Sequence, residues 1–484
     1  MKEGSQQMSQ IFLTGNDMDK IFRKILWFLE EKGVVVEHKR ILKLLDVGGA
    51  EVNHKAQHVR FPERMVRELM EKAPSGFTLA APDPEYDIDL PTNPDYFHVC
   101  TNTGARGIID PETDQHRLMT ESDIRNVARL VDLLEHIDMC AMPTATDVPA
   151  QCPDVHGLRA LLESTRKHVW LQPHTEQTLP FLFELAVARS GGLGSFSKRP
   201  NVSFMVTSLT PYKFKSMDME VILQACRYGV PIHVCSVGTM GGTSPISPLG
   251  TTILCCIEVL VQLIIAQLVR PGIPVLGLVS SLVMDMRTGM AMKGNPDVGK
   301  ANGASARFIR EMYKIPTHIN AMTTDSFIPD GQAQVERCLT GLTVAGSGAD
   351  IIGRAGELEG AKTFSPLQLV ADNSIAAMMK HLLKPMTLDN PSLSWEEIIS
   401  VSAGGHFLEM PSTLDHCRDG FRSLLYINGS RNDWVAKGEN DFISRAREKV
   451  MECWDVEPEG PHLDNAIKDE MDSIVRRAEQ ELCR

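Results

Sequence analysis

Pro231-Ile232-His233-Val234-Cys235-Ser236 is followed by a helix-length apolar stretch, 251–269, and then by Pro274-Val275-Leu276-Gly277-Leu278-Val279. Short apolar runs of this kind suit strands buried on both faces. Similar runs begin near Phe97, Ile137, His168, Val202, Thr317 and Ala349, which makes eight. Each ends in polar or glycine-rich residues, and most are followed by a stretch of helical length. Eight parallel strands alternating with helices are the signature of a (β/α)8 TIM barrel, an α/β fold. That fold carries its chemistry at the carboxyl ends of the strands.

Outward from this core the chain divides into three. Residues 1–80 read as an N-terminal helical layer: Asn16 and Asp17 are placed to cap a helix with Ile21, Ile25, Leu26 and Leu29 on one face. Pro62 opens another helix ahead of Met65, Val66 and Leu69. Residues 81–385 carry the barrel, with helix starts at Thr120 and at Ser365-Pro366. Residues 386–484 read as a C-terminal helical extension packed on it.

The composition, 43% hydrophobic and 23% charged over 484 residues, is that of a globular enzyme. A formal net charge of −13 argues against non-specific nucleic-acid binding. Eleven cysteines without framework spacing read as reduced thiols, and no ligand-spaced Cys or His pairs suggest a metal site. The segment Met1–Gly15 lacks an apolar leader core. The most apolar stretch contains Glu258, Gln262 and Gln267, so it reads as a buried barrel helix. A soluble cytoplasmic protein without membrane contact is expected.

The run ends supply the candidate site. Tyr96 and Phe97 offer aromatic faces, which hold a quaternary ammonium that cannot hydrogen-bond. His174 follows the third run and is a candidate acid, base or donor. The loop Gly238–Pro245 is glycine-rich but lacks a phosphate-loop ending. Asp285-Met286-Arg287 follows the sixth run. The seventh is followed by the densest polar cluster, with Asp325, Phe327, Asp330, Gln332 and Glu336; Asp330 is equally placed to cap the next helix. The eighth leads into Arg354 and Glu357, and His406 sits beyond the barrel after two glycines. These residues describe a barrel enzyme with a polar mouth and leave its reaction open.

Several segments, in their order and spacing, carry a resemblance. They are Gly241-Gly242-Thr243-Ser244-Pro245, Gln267 through Val275, Asp285-Met286-Arg287-Thr288-Gly289, Thr324-Asp325-Ser326, Asp330-Gly331-Gln332-Ala333, Gly356-Glu357-Leu358-Glu359 and Gly404-Gly405-His406-Phe407-Leu408. Together they resemble the trimethylamine methyltransferase superfamily. The resemblance implies a (β/α)8 barrel that moves a methyl group from a methylated amine to the cob(I)alamin of a separate corrinoid protein. It implies a homo-oligomer, with cobalamin supplied by the partner and no tightly bound cofactor. Founding members use pyrrolysine for trimethylamine; relatives that lack it act on quaternary amines such as glycine betaine, proline betaine and carnitine. No lysine occurs between Lys314 and Lys362, and the relevant turn carries Phe327, which points to a non-pyrrolysine member. On this resemblance Tyr96, Phe97 and Phe327 wall the methyl groups. Asp325 or Glu357 supplies negative potential, and Arg354, His406 or Arg287 holds a substrate carboxylate. Asp325, Glu357 and His406 are the candidates for methyl positioning, with His174, Asp330 and Gln332 as further contacts. Two alternatives are a zinc-dependent corrinoid methyltransferase using His174, His233 and Cys235, and a non-catalytic betaine-binding barrel.

Overall fold

The computed structural model describes residues 12–93, 95–386, 388, 393–423, 425–454 and 463–483. Of the segment Met1–Gly15 read for a leader, residues 1–11 lie outside these. The eight apolar runs are eight barrel strands: β1 (His98–Thr101), β2 (Met139–Ala141), β3 (His168–Leu171), β4 (Val202–Thr207), β5 (Ile232–Ser236), β6 (Val275–Val279), β7 (Thr317–Asn320) and β8 (Ile351–Ala355). They close in sequence order, each parallel to its neighbours. The helices that follow them are α1 (Glu121–Leu133), α2 (Pro153–Ser164), α3 (Leu179–Arg189), α4 (Ser216–Tyr228), α5 (Pro248–Val269), α6 (Pro296–Phe308), α7 (Gly331–Ala345) and α8 (Pro366–Leu383).

The two-residue period of the strands separates an inner from an outer core. Cys100, Met139, Ala141, Trp170, Met205, Cys235, Leu276, Leu278 and Ile351 fill the lumen. Leu79, Ile88 and Leu90, on the hairpin of Phe77–Leu79 and Ile88–Leu90, close it at the amino end of the strands. The alternate residues, such as Val99, Val169, Val234 and Ile352, join the core under the helices. α5 is the one helix among the described residues long and apolar enough to cross a membrane, and 83% of its most apolar window is buried in the fold. Its Glu258 accepts hydrogen bonds from Ser208, Thr210, Ser236 and the backbone of Tyr212, so this acid is consumed in fixing the β4 loop to the helix.

The N-terminal layer is not purely helical, which corrects the sequence reading. Helices Gly15–Glu31, Lys39–Val47 and Glu63–Met70 alternate with strands Val34–Val36, Glu51–Asn53 and His58–Arg60. These strands form a four-stranded sheet with Lys213–Phe214 of the β4 loop. The β-branched run Val34-Val35-Val36 favours extended backbone over helix. The first helix is capped by Thr14, with Asp17 completing a capping box from inside the first turn. At the other end, Asn465–Leu482 buries Met471, Ile474, Val475 and Ala478. Its Asp472 and Arg477 pair with Arg159 of α2 and Glu184 of α3.

Candidate active site

The carboxyl end of β8 is irregular. Its register against β1 shifts between Ile352 and Ala355, and Arg354 within the bulge has φ +91°. A positive φ is costly for a long L side chain and persists where surrounding contacts fix it. Those contacts are visible. Arg354 Nη1 donates to Asn102 Oδ1 at 2.8 Å. With the Asn320 amide turned to satisfy its neighbours, its oxygen accepts from Arg354 Nη2 at 2.9 Å, Arg354 Nε at 3.0 Å and Ser280 Oγ at 2.9 Å. The guanidinium thus ties the ends of β8, β1 and β7 together. A guanidinium has five N–H donors; three are used here, and two remain for a ligand.

Glu357 lies in the same turn. Its carboxylate is 3.8 Å from Arg354 Nε and wholly buried. Neither of its oxygens has a hydrogen-bond partner among the described residues. A buried carboxylate is costly unless paired and hydrogen-bonded, so such a group calls for a reason.

Lys293 approaches from the β6 side, after a hairpin of Leu282–Met284 and Ala291–Met292. Asp325 in the β7 loop accepts from the backbone of Lys293 at 2.8 Å and Gly294 at 3.0 Å, and Thr323 Oγ1 donates to the Lys293 carbonyl at 2.8 Å. The Lys293 residue is 9% exposed. No hydrogen bond or ion pair involves its ammonium among the described residues. Burial first, and Arg354 second, push the amine down to about 8, against the opposing pull of Glu357 and Asp325. Burial raises the Asp325 carboxyl above its usual range.

Below the mouth the lumen holds a polar column. His168 Nε2 and His233 Nε2 each lie 2.8 Å from Ser203 Oγ, and His233 Nδ1 is 3.0 Å from His318 Nδ1. Trp170 packs edge-on to His318, with ring centroids 4.9 Å apart. Burial pushes His168 down to about 4, and burial with Arg354 pushes His318 down to about 3, so both are neutral near pH 7.

Residues 6–483 match the family described as trimethylamine methyltransferase (MTTB). The chain belongs to this family. The trimethylamine methyltransferase MttB of Desulfitobacterium hafniense is 32% identical over 466 residues, covering 95% of this chain and 92% of that protein. MttB of Methanosarcina barkeri is 29% identical over 474 residues, covering 96% and 95%. A glycine betaine methyltransferase of Desulfitobacterium hafniense is 26% identical over 427 residues, covering 87% and 88%. The monomethylamine methyltransferase of Methanosarcina barkeri superposes with a TM-score of 0.57 at 13% identity, covering 98% of this chain and 88% of that one, which shows a shared fold.

In this MttB-family methyltransferase the mouth gathers Arg354, Glu357 and Asp325 of the residues singled out in the sequence. It does not gather Tyr96 and Phe97. β1 begins at His98, so both aromatics precede it and lie at the closed, amino end of the barrel. Phe97 is fully buried, and the Tyr96 ring carries Lys380 Nζ 4.7 Å from its centroid. Arg287 leaves its side chain 90% exposed, folded onto Asp285 at 3.4 Å. Phe327 is exposed on the β7 loop. Asp330 is a helix cap, accepting from Ala333 N at 3.0 Å and Ser326 Oγ at 2.9 Å. Gln332 is exposed and donates to Glu336 at 2.9 Å. His174 is exposed, and among the described residues only its backbone N–H is engaged, donating to Asp154 at 2.9 Å. His406 is exposed in the extension, with no hydrogen bond or ion pair to the barrel among the described residues. Of the zinc candidates, both His233 nitrogens are engaged in the lumen and His174 stands outside it, so the three are not assembled as ligands. Asn102, Asn320 and Lys293 were not singled out; the first two are the polar residues directly ending their apolar runs, a signal that would have found them.

Proposed function

We propose that this methyltransferase takes its methyl group from a quaternary amine of the betaine type and delivers it to the cobalt of a separate corrinoid protein, its acceptor substrate. One observation carries the reading: among the described residues a buried carboxylate without hydrogen-bond partners, Glu357, stands beside a guanidinium with two unused donors, Arg354, at the catalytic end of a barrel. A donor bearing an onium and a carboxylate complements both. The relative named for glycine betaine and the absence of lysine between Lys314 and Lys362 support the same reading. On it the chain holds no cofactor of its own, since the cobalamin belongs to the acceptor.

The docked acceptor supplies the nucleophile. As the methyl group leaves, the C–N electron pair stays on nitrogen, and the product is a neutral tertiary amine; no proton moves. Glu357 holds the onium by its negative potential, and Arg354 anchors the acid group. The nitrogen loses positive charge on the way to the transition state, so Glu357 favours the bound donor more than the transition state. Rate enhancement then rests on alignment of methyl and acceptor, where fixed geometry can supply about 7–11 kcal/mol. The test is a panel of glycine betaine, proline betaine, carnitine, choline and trimethylamine, each incubated with protein and reduced cobalamin while methylcobalamin is followed by its absorbance. Formation from the betaines supports the reading, and formation from trimethylamine alone overturns it.

A further inference from the structure

We propose that Lys293 is the specificity-determining cation of the mouth: its ammonium, together with Arg354, receives the donor's carboxylate, so that the site takes zwitterionic betaines in preference to quaternary amines without an acid group. The inference rests on the reading that the donor is a quaternary amine.

The geometry is that of a side chain held ready and left without a partner. The backbone at Lys293 and Gly294 is pinned to the β7 loop by three hydrogen bonds, two to Asp325 and one from Thr323. These fix the root of the side chain. The residue is nine-tenths buried, yet the ammonium has no partner among the described residues. Buried ammonium groups are ordinarily paired. Lys380 and Lys167 of this chain illustrate the rule: Lys380 pairs with Asp138 at 3.4 Å, and Lys167 Nζ donates to the carbonyls of Val131, Leu134 and Ile137. Lys293 lies at the reactive end of the barrel and has no such arrangement.

Four charged groups act on it: Arg354 and Glu357 from the end of β8, Asp325 from the β7 loop, and Lys362 from the turn after β8. Glu336 of α7 packs against the neighbouring Gly294 and accepts from Thr324 and Asp325 N, so its charge is spent on the loop. The Lys362 side chain is 63% exposed and largely screened. Lys293, Arg354, Glu357 and Asp325 remain, two cations and two carboxylates, with a formal sum of zero. Both Asp325 oxygens are taken by backbone N–H groups, so neither cation is satisfied by that acid. A zwitterion enters this site without adding net charge, its acid group toward Lys293 and Arg354 and its onium toward Glu357. Choline would add a positive charge and leave Lys293 unpaired.

Binding is measured by calorimetry with glycine betaine and with choline, using the full chain, Lys293→Met and Lys293→Arg, at pH 7 and pH 9. Lys293→Met is expected to weaken glycine betaine about tenfold, the scale of one lost charge-assisted contact, and to leave choline within about twofold. The wild-type affinity for glycine betaine is expected to fall about fivefold from pH 7 to pH 9, as a group titrating near 8 loses most of its proton. Lys293→Arg is expected to keep the affinity and remove the pH dependence. Glycine betaine affinity unchanged in Lys293→Met, or betaine and choline weakened equally, would overturn the proposal while leaving the methyl-transfer reading intact. If Lys293→Met does not fold, a wild-type pH profile as flat as that of Lys293→Arg overturns it. Failure of the wild type to bind any quaternary amine overturns both.

Discussion

Glu357→Gln is the sharpest test of the electrostatic reading, because it removes one charge and keeps the shape. A trimethylammonium in van der Waals contact with a carboxylate puts its nitrogen about 5 Å from the acid, and at an effective dielectric of about 20 the attraction is about 3 kcal/mol. Arg354, 3.8 Å away, already draws on the same carboxylate. Allowing for that competition leaves about 2 kcal/mol, or about thirtyfold in the affinity for the onium. The effect falls unevenly on the two kinetic constants. The onium charge fades as the C–N bond breaks, so the interaction lost is mainly one of the bound donor. Glu357→Gln is therefore expected to raise the KM for glycine betaine about thirtyfold and, because the transition state loses less than the bound donor, to raise kcat severalfold so that kcat/KM falls by less than KM rises. Initial rates of methylcobalamin formation over a range of donor concentrations give both constants. A fall in kcat of about a hundredfold with KM unchanged would refute the reasoning, since Glu357 would then be acting on the transition state or on a proton.

The remaining predictions separate the mouth from its surroundings. Arg354→Lys is expected to raise the donor KM about tenfold, because an ammonium cannot reproduce the planar fork that bridges Asn102 and Asn320. Arg287→Ala is expected to leave KM within about twofold, given its exposed side chain. Phe97→Leu is expected to lower stability by about 1 kcal/mol in chemical denaturation and to leave KM unchanged, since the ring is core at the closed end of the barrel. Asp138→Asn is expected to cost about 3 kcal/mol by leaving the buried Lys380 unpaired. Burial raises the Asp138 carboxyl, but Lys380 and His98 outweigh it and hold the group well below its usual range. Its folded pKa is thus lower than its unfolded one. The stabilisation is complete well above the unfolded carboxyl value of about 4 and is fully lost only below the much lower folded one, so in thermal melts from pH 7 to pH 3 the gap between wild type and Asp138→Asn should begin to narrow below about pH 4 and still be open at pH 3.

The barrel was legible because a strand covered on both faces must be apolar throughout, and eight such runs with helices between them admit few other folds. Arg354 and Glu357 were legible for the complementary reason: charged residues directly after a buried run stand at the open end. Tyr96 and Phe97 were misread although the same logic excludes them, since they begin their run and so mark the closed end. Asp330 carried two readings, and the helix beginning at Gly331 selected the cap. Lys293 was illegible. Lysine is ordinarily a surface residue, and only the fold of the β6 hairpin against the β7 loop buries this one. Arg354 has a further property that no pattern announces, its positive φ, which depends on a bulge and on two asparagines from strands far away in sequence.

The histidine column explains why the mouth can keep charges in reserve. A protonated imidazole at His318 would place a third cation under Arg354 and Lys293, and in a low-dielectric lumen that repulsion would be large. Burial prevents it by holding His168 and His318 far below neutrality. Ser203 joins His168 to His233, and His233 meets His318 directly, so the column is polar without being charged. Formal charge is thereby confined to the strand ends and their loops. There Asn102 and Asn320, which are neutral, orient Arg354 without quenching it. Had carboxylates stood in their places, the guanidinium would be held in hydrogen-bonded ion pairs closer than the 3.8 Å one with Glu357, and the donor's acid group would have to displace one of them. Neutral supports beneath and beside unpaired charges are what allow a small zwitterion, and not the protein itself, to complete the electrostatics of the site.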